Sequence, residues 1–107
     1  LSESTRTAKP VAVAAVRELL LGQDPAGYAF ACEALADAVD PDFSSISVPV
    51  LLLTGDEDKV SPVQVNEELL STYANAQLNV LDGVGHWHSL EDPTTVTHRL
   101  QDFLLKP

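Results

Sequence analysis

The rhythm of apolar and polar positions changes midway along this chain. Between Ser4 and Leu21, apolar residues fall at Val11, Ala14, Ala15 and Leu19, the three-and-four spacing of a helix with one face turned inward. Pro10 marks a break or a new start within that stretch, and Gly22 stops it. Asp24-Pro25 is a second start signal, a capping carboxylate followed by proline in the first turn. Tyr28, Cys32, Leu35 and Ala36 then repeat on one face of a helix expected to end near Ala38. Residues 39–47 are rich in turn formers and read as a connector.

Beyond them the pattern becomes that of a layered sheet. Val48–Thr54 is almost wholly apolar and bounded by Pro49 and Gly55, which suits a strand covered on both faces, as in a parallel sheet. Ser61-Pro62 opens a helix to about Ala74, with Val65, Leu69 and Leu70 facing inward. Gln77–Leu81 is a second strand. Asp92-Pro93 caps a last helix through Leu105, with Val96, Leu100, Phe103 and Leu104 as its apolar stripe. Strand, helix, strand, helix implies an α/β fold with a parallel pair joined by a right-handed crossover, Pro62–Ala74 being the crossover helix. Two such strands leave two unpaired edges, and the run Val50-Leu51-Leu52-Leu53 needs more cover than these helices supply.

Composition narrows the partners. The net charge is −10, from sixteen acidic and six basic residues. Nucleic acid and anionic membranes both require clustered Lys and Arg, so neither is expected as a partner. No run of eighteen apolar residues exists to cross a membrane, and no N-terminal stretch reads as a signal peptide. One cysteine, Cys32, cannot form an internal disulfide, which favours a reducing, cytoplasmic setting. The chain contains no methionine and starts at Leu1, so it is expected to begin inside a longer polypeptide.

In parallel sheets, functional groups collect at the C-terminal ends of the strands. Two loops occupy that position: Gly55-Asp56-Glu57-Asp58-Lys59-Val60-Ser61-Pro62 and Asp82-Gly83-Val84-Gly85-His86-Trp87-His88. One is rich in carboxylates and the other holds two imidazoles. Side by side, they could bring an acid to a histidine, fixing the ring's tautomer and stabilising the imidazolium formed when the base takes a proton.

LLLTGDEDKVSP resembles the acid loop of the α/β-hydrolase superfamily, in which a strand runs into Gly-x-x-Asp with proline following. DGVGHWHSLEDP resembles its histidine loop, where Gly-His precedes an acidic residue and a proline that opens the last helix. The likeness covers residues 43–107, which it implies are the C-terminal part of the hydrolase core. Residues 1–42, through Asp24-Pro25-Ala26-Gly27-Tyr28 onward, resemble the end of the helical cap in the branch containing 3-oxoadipate enol-lactonases.

The resemblance implies Asp58 and His86 as the catalytic acid and base of a Ser-His-Asp triad, with no cofactor or metal; Trp87, next to the base, reads either as lining the pocket against the substrate or as packing under the loop. It implies an ester or lactone hydrolase acting on a small molecule. The same fold also serves dehalogenases and epoxide hydrolases with an aspartate nucleophile, and non-catalytic ligand-binding members. The departure lies in the nucleophile: no Gly-x-Ser-x-Gly elbow exists in the 107 residues. Ser61 and Ser89 lack its glycines. The chain alone is therefore expected to be inactive, its partner being the N-terminal half of the same enzyme. Asp56 and Glu57 rival Asp58, and His88 rivals His86. His98 reads as surface, Cys32 as a small packed hydrophobe, and Asp92 and Ser61 as helix caps. Glu91 reads as either an anchor for the histidine loop or a solvated side chain.

Overall fold

The structure, a computed structural model, describes residues 1–105; the last two residues of the expected 43–107 core segment lie outside them. Six helices, a 3-10 turn and two strands make up the described chain. Helices α1 (Glu3–Ala8), α2 (Pro10–Leu21) and α3 (Pro25–Ala36) come first. The 3-10 turn Phe43–Ser45, β1 (Val50–Gly55), α4 (Val63–Leu70), β2 (Ala76–Leu81), α5 (His88–Glu91) and α6 (Pro93–Leu105) follow.

The two strands pair in parallel, from Val50 opposite Ala76 to Gly55 opposite Leu81. Parallel pairing brings both C-terminal ends to one side, so the acid and histidine loops leave the sheet together. Helix α4 is the crossover and is shorter than expected: it closes at Leu70, and Ser71 and Thr72 bond the carbonyls of its last turn. Ser61 does not cap it. The N-cap is Pro62, with no side-chain bond, because the Ser61 hydroxyl receives Asn66 Nδ2 at 3.1 Å instead. Asp24 and Asp92 do cap, accepting the N–H groups of Gly27 at 2.7 Å and Thr95 at 3.1 Å.

The helix faces differ from the expected ones. In α2, Ala12 and Val16 are buried while Val11 and Leu19 are exposed; in α4, Asn66 is buried and Val65 exposed. The α3 helix buries none of its residues, so Tyr28, Cys32 and Leu35 all face solvent. Cys32 is thus exposed rather than packed. Of the expected apolar stripe on α6, Leu100 and Leu104 are exposed and Val96 and Phe103 are partly covered.

What is buried is mostly polar. Among the described residues, the buried apolar side chains are Ala12, Val16, Leu81 and Val84, whereas Ser2, Thr5, Thr54, Asp58, Asn66 and Glu91 are buried polar ones. Five of those six polar residues belong to, or touch, the two loops. The tightest packing therefore surrounds the loop cluster, while the strand faces are only half covered. The accessible surface of 7531 Å² exceeds the roughly 5,800 Å² typical of a compact 11.5 kDa chain. A radius of gyration of 15.7 Å likewise exceeds the ~13 Å expected at this length.

Candidate active site

The backbone ladder does not stop where the strands do. Asp56 N–H donates to the Leu81 carbonyl at 3.0 Å and Glu57 N–H to the Val84 carbonyl at 3.0 Å. Asp56 Oδ1 accepts Val84 N–H at 3.3 Å. The acid and histidine loops are thereby joined along their first turns. Glycines allow that approach. A Cβ at Gly55 would collide with the Val84 carbonyl, and one at Gly85 would sit 2.5 Å from the Ser2 nitrogen.

Asp58 sits at the turn of the acid loop with its side chain 1% exposed. Its Oδ1 accepts the N–H groups of Val60 at 2.8 Å and Ser61 at 2.9 Å. Its Oδ2 lies 3.0 Å from His86 Nδ1. Burial pushes the carboxyl upward, but the Ser61 N–H, the His86 ring and the Val60 N–H outweigh it and hold the pKa below the ordinary value. A carboxylate fixed in this way has one oxygen committed to the backbone and the other to the imidazole. Receiving Nδ1–H, it leaves Nε2 of a half-exposed ring free to take a proton.

The rivals fall into other roles. His88 Nε2 is 3.8 Å from the same Oδ2, beyond hydrogen-bonding distance, and its ring is tilted 58° to that of His86. Asp56 serves the Val84 backbone. Glu57 accepts Glu3 N–H at 2.8 Å and the Ser4 hydroxyl at 3.1 Å. His98 and Ser89 are exposed, and Trp87 is half-buried beside the base. Among the described residues no group of three or more His, Cys, Asp or Glu side chains is arranged to hold a metal ion. No described helix is long and apolar enough to cross a membrane.

Two supporting residues stand out. Asn66 is buried, and its Nδ2 lies within bonding distance of the Ser61 carbonyl and hydroxyl and the Pro62 carbonyl, bracing the turn that supplies the N–H donors to Asp58. Sequence reasoning missed it, since an asparagine between Val65 and Glu67 carries no pattern of its own. Glu91 is 0% exposed, so of its two expected readings the anchor holds and the solvated side chain does not. Burial raises its pKa, yet the N–H groups of Ser2, Gly85 and Trp87, with the Thr5 hydroxyl, bring it down to about 2.

Residues 12–107 match the α/β-hydrolase family model described as TAP-like protein. The 3-oxoadipate enol-lactonase 2 of Acinetobacter baylyi is 37% identical over 76 residues, covering 70% of this chain and 28% of that protein. A solved thermophilic esterase from Thermogutta terrifontis, with malate bound, superposes with a TM-score of 0.92 at 30% identity, over 96% of this chain and 39% of its own. Est816, described as an N-acyl homoserine lactone degrading enzyme, gives 0.80 at 27% identity, over 97% and 43%. The chain thus spans less than half the length of these relatives.

Proposed function

Since this chain belongs to the TAP-like family of α/β-hydrolases and forms a C-terminal portion of that fold, we propose that it supplies the acid and base of an ester or lactone hydrolase. Asp58 is the acid and His86 the base. The nucleophile is a serine on polypeptide outside the 107 residues, carried on a Gly-x-Ser-x-Gly elbow. The observation that carries this reading is the 3.0 Å contact between Asp58 Oδ2 and His86 Nδ1, with Nε2 left open. Residues 1–42 close the helical cap, residues 43–107 belong to the core, and Trp87 borders the substrate.

The chemistry follows from the geometry. Nε2 of His86 removes the serine proton as the serine oxygen attacks the ester or lactone carbonyl. The imidazolium formed is stabilised by Asp58 and returns the proton to the leaving alcohol oxygen. His86 then activates water, which releases the acid and restores the serine. The lactonase and esterase relatives support an oxygen ester as substrate, and no cofactor is required for any step. The open strand faces and the surface excess support completion by further polypeptide, because a two-stranded parallel sheet has both edges unpaired.

The test is a serine-directed fluorophosphonate probe applied to this chain mixed with polypeptide bearing the Gly-x-Ser-x-Gly segment of the fold. Labelling is expected on the added polypeptide and is lost with His86→Ala. Labelling of a serine within these 107 residues, or labelling indifferent to His86, would overturn the assignment.

A further inference from the structure

The carboxylate of Glu91 lies where three backbone N–H groups converge. Its Oε2 accepts Ser2 N–H at 2.8 Å and Gly85 N–H at 3.0 Å; its Oε1 accepts Trp87 N–H at 3.0 Å. Gly85 and Trp87 are the two neighbours of His86. One buried side chain therefore grips the histidine loop on both sides of the base. Ser2 lies 89 residues away in sequence and opens α1. The Glu91 carbonyl also accepts Lys9 Nζ at 2.5 Å, where α1 passes into α2. Glu57 binds the next residue of α1, Glu3, from the acid loop side.

We infer that Glu91 is a positioning residue for the base: it fixes the backbone of residues 85–87, and through Ser2 it makes helix α1 a strap across the loops that carry Asp58 and His86. The inference rests on the reading of His86 as the base. A buried acid is a costly choice for mere loop closure, because an apolar side chain there would avoid the desolvation. A carboxylate is the side chain that can take three converging N–H donors, having two oxygens and no donor of its own. Oriented by those donors, it holds the loop in one conformation, and a neutral amide would set an NH2 group against at least one of them. Gly85 fits the same scheme, since any side chain there would push Ser2 away.

The experiment uses NMR of the isotope-labelled 107-residue chain in complex with unlabelled polypeptide bearing the Gly-x-Ser-x-Gly portion of the fold, with no turnover needed. In the parent, His86 bonded to Asp58 gives a downfield Nδ1–H proton resonance. Glu91→Gln removes charge and one acceptor; Glu91→Asp keeps the charge but shortens the reach. Both are expected to reduce that resonance at least threefold while far-UV ellipticity is retained, and to weaken the near-UV signal of Trp87. If Glu91 acted only through its charge, Glu91→Asp would match the parent, and that result would overturn the inference. So would a folded Glu91→Gln with the resonance intact. Should neither variant fold, the parent chain decides. As urea rises, exchange protection at Gly85 and Trp87 and the His86 resonance must be lost together, whereas amides that open while the resonance persists would contradict the claim. A parent without the resonance at all would instead count against the acid–base pair itself, so the two failures are distinguishable.

Discussion

Gly55, the last residue of β1, lies against the backbone carbonyl of Val84 so closely that no Cβ fits between them. That contact sets the separation of the two loops, and with it the reach from Asp58 to His86. Gly55→Ala should therefore act at a distance. Overpacking of this kind costs about 1–3 kcal/mol, and the expected outcome in urea unfolding is a loss in that range. It should be accompanied by weakening of the His86 Nδ1–H resonance. Parental stability with an intact resonance would show that the approach is not as tight as the geometry requires.

Asp58→Asn tests the acid without emptying its place. The amide oxygen can still accept the Val60 and Ser61 N–H groups, so the turn should survive. What changes is the imidazole: an amide no longer stabilises the imidazolium and can present an NH2 to Nδ1, favouring the wrong tautomer. In a complemented enzyme, kcat for ester hydrolysis is expected to fall roughly 10⁴-fold, the scale known for this change in a serine protease triad, with KM little altered.

The pH dependence of stability has a defined sign. The Glu91 pKa is lowered from 4.5 to about 2 and that of Asp58 is lowered as well. Folded carboxyls with depressed pKa values bind fewer protons than the unfolded chain, so their contribution is complete above the unfolded values. It is lost as pH falls through the folded ones. Urea midpoints should thus hold from neutral pH to about 5 and then fall towards pH 2, Glu91 alone contributing on the order of 3 kcal/mol. In Glu91→Gln the decline over that window should be visibly flatter.

Asn66→Ala probes the brace beneath the acid loop. It removes the donor serving the Ser61 and Pro62 carbonyls and leaves a small void. The expected cost is about 1–3 kcal/mol, read from thermal or urea unfolding. Val65→Ala one position earlier should cost far less, because Val65 is exposed.

These contrasts also show what was legible in the amino-acid pattern. The first strand was readable because four consecutive apolar residues between Pro49 and Gly55 leave little alternative, and parallel pairing followed from the helix between the strands. The approach of Asp58 to His86 was readable from the two loop motifs. The helix faces were not: periodicity marks an apolar stripe but not whether anything packs on it, and Leu35 on α3 and Leu104 on α6 meet solvent. Helix α5 escaped notice because its single turn is nucleated by the Trp87 carbonyl receiving Leu90 and Glu91 N–H groups. The burial of Glu91 could not be read from its neighbours, since one of its donors comes from Ser2 at the other end of the chain.

The central claim is that Asp58 and His86 are the acid and base of a serine hydrolase whose nucleophile lies on other polypeptide. The most direct measurement is p-nitrophenyl ester hydrolysis by this chain alone, by a polypeptide bearing the Gly-x-Ser-x-Gly portion of the fold alone, and by the two together. Activity is expected only in the mixture, and His86→Ala in this chain should abolish it. Hydrolysis by the 107 residues alone that survives His86→Ala, or a mixture that forms a stable complex yet turns over no better than its separate parts, would contradict the account.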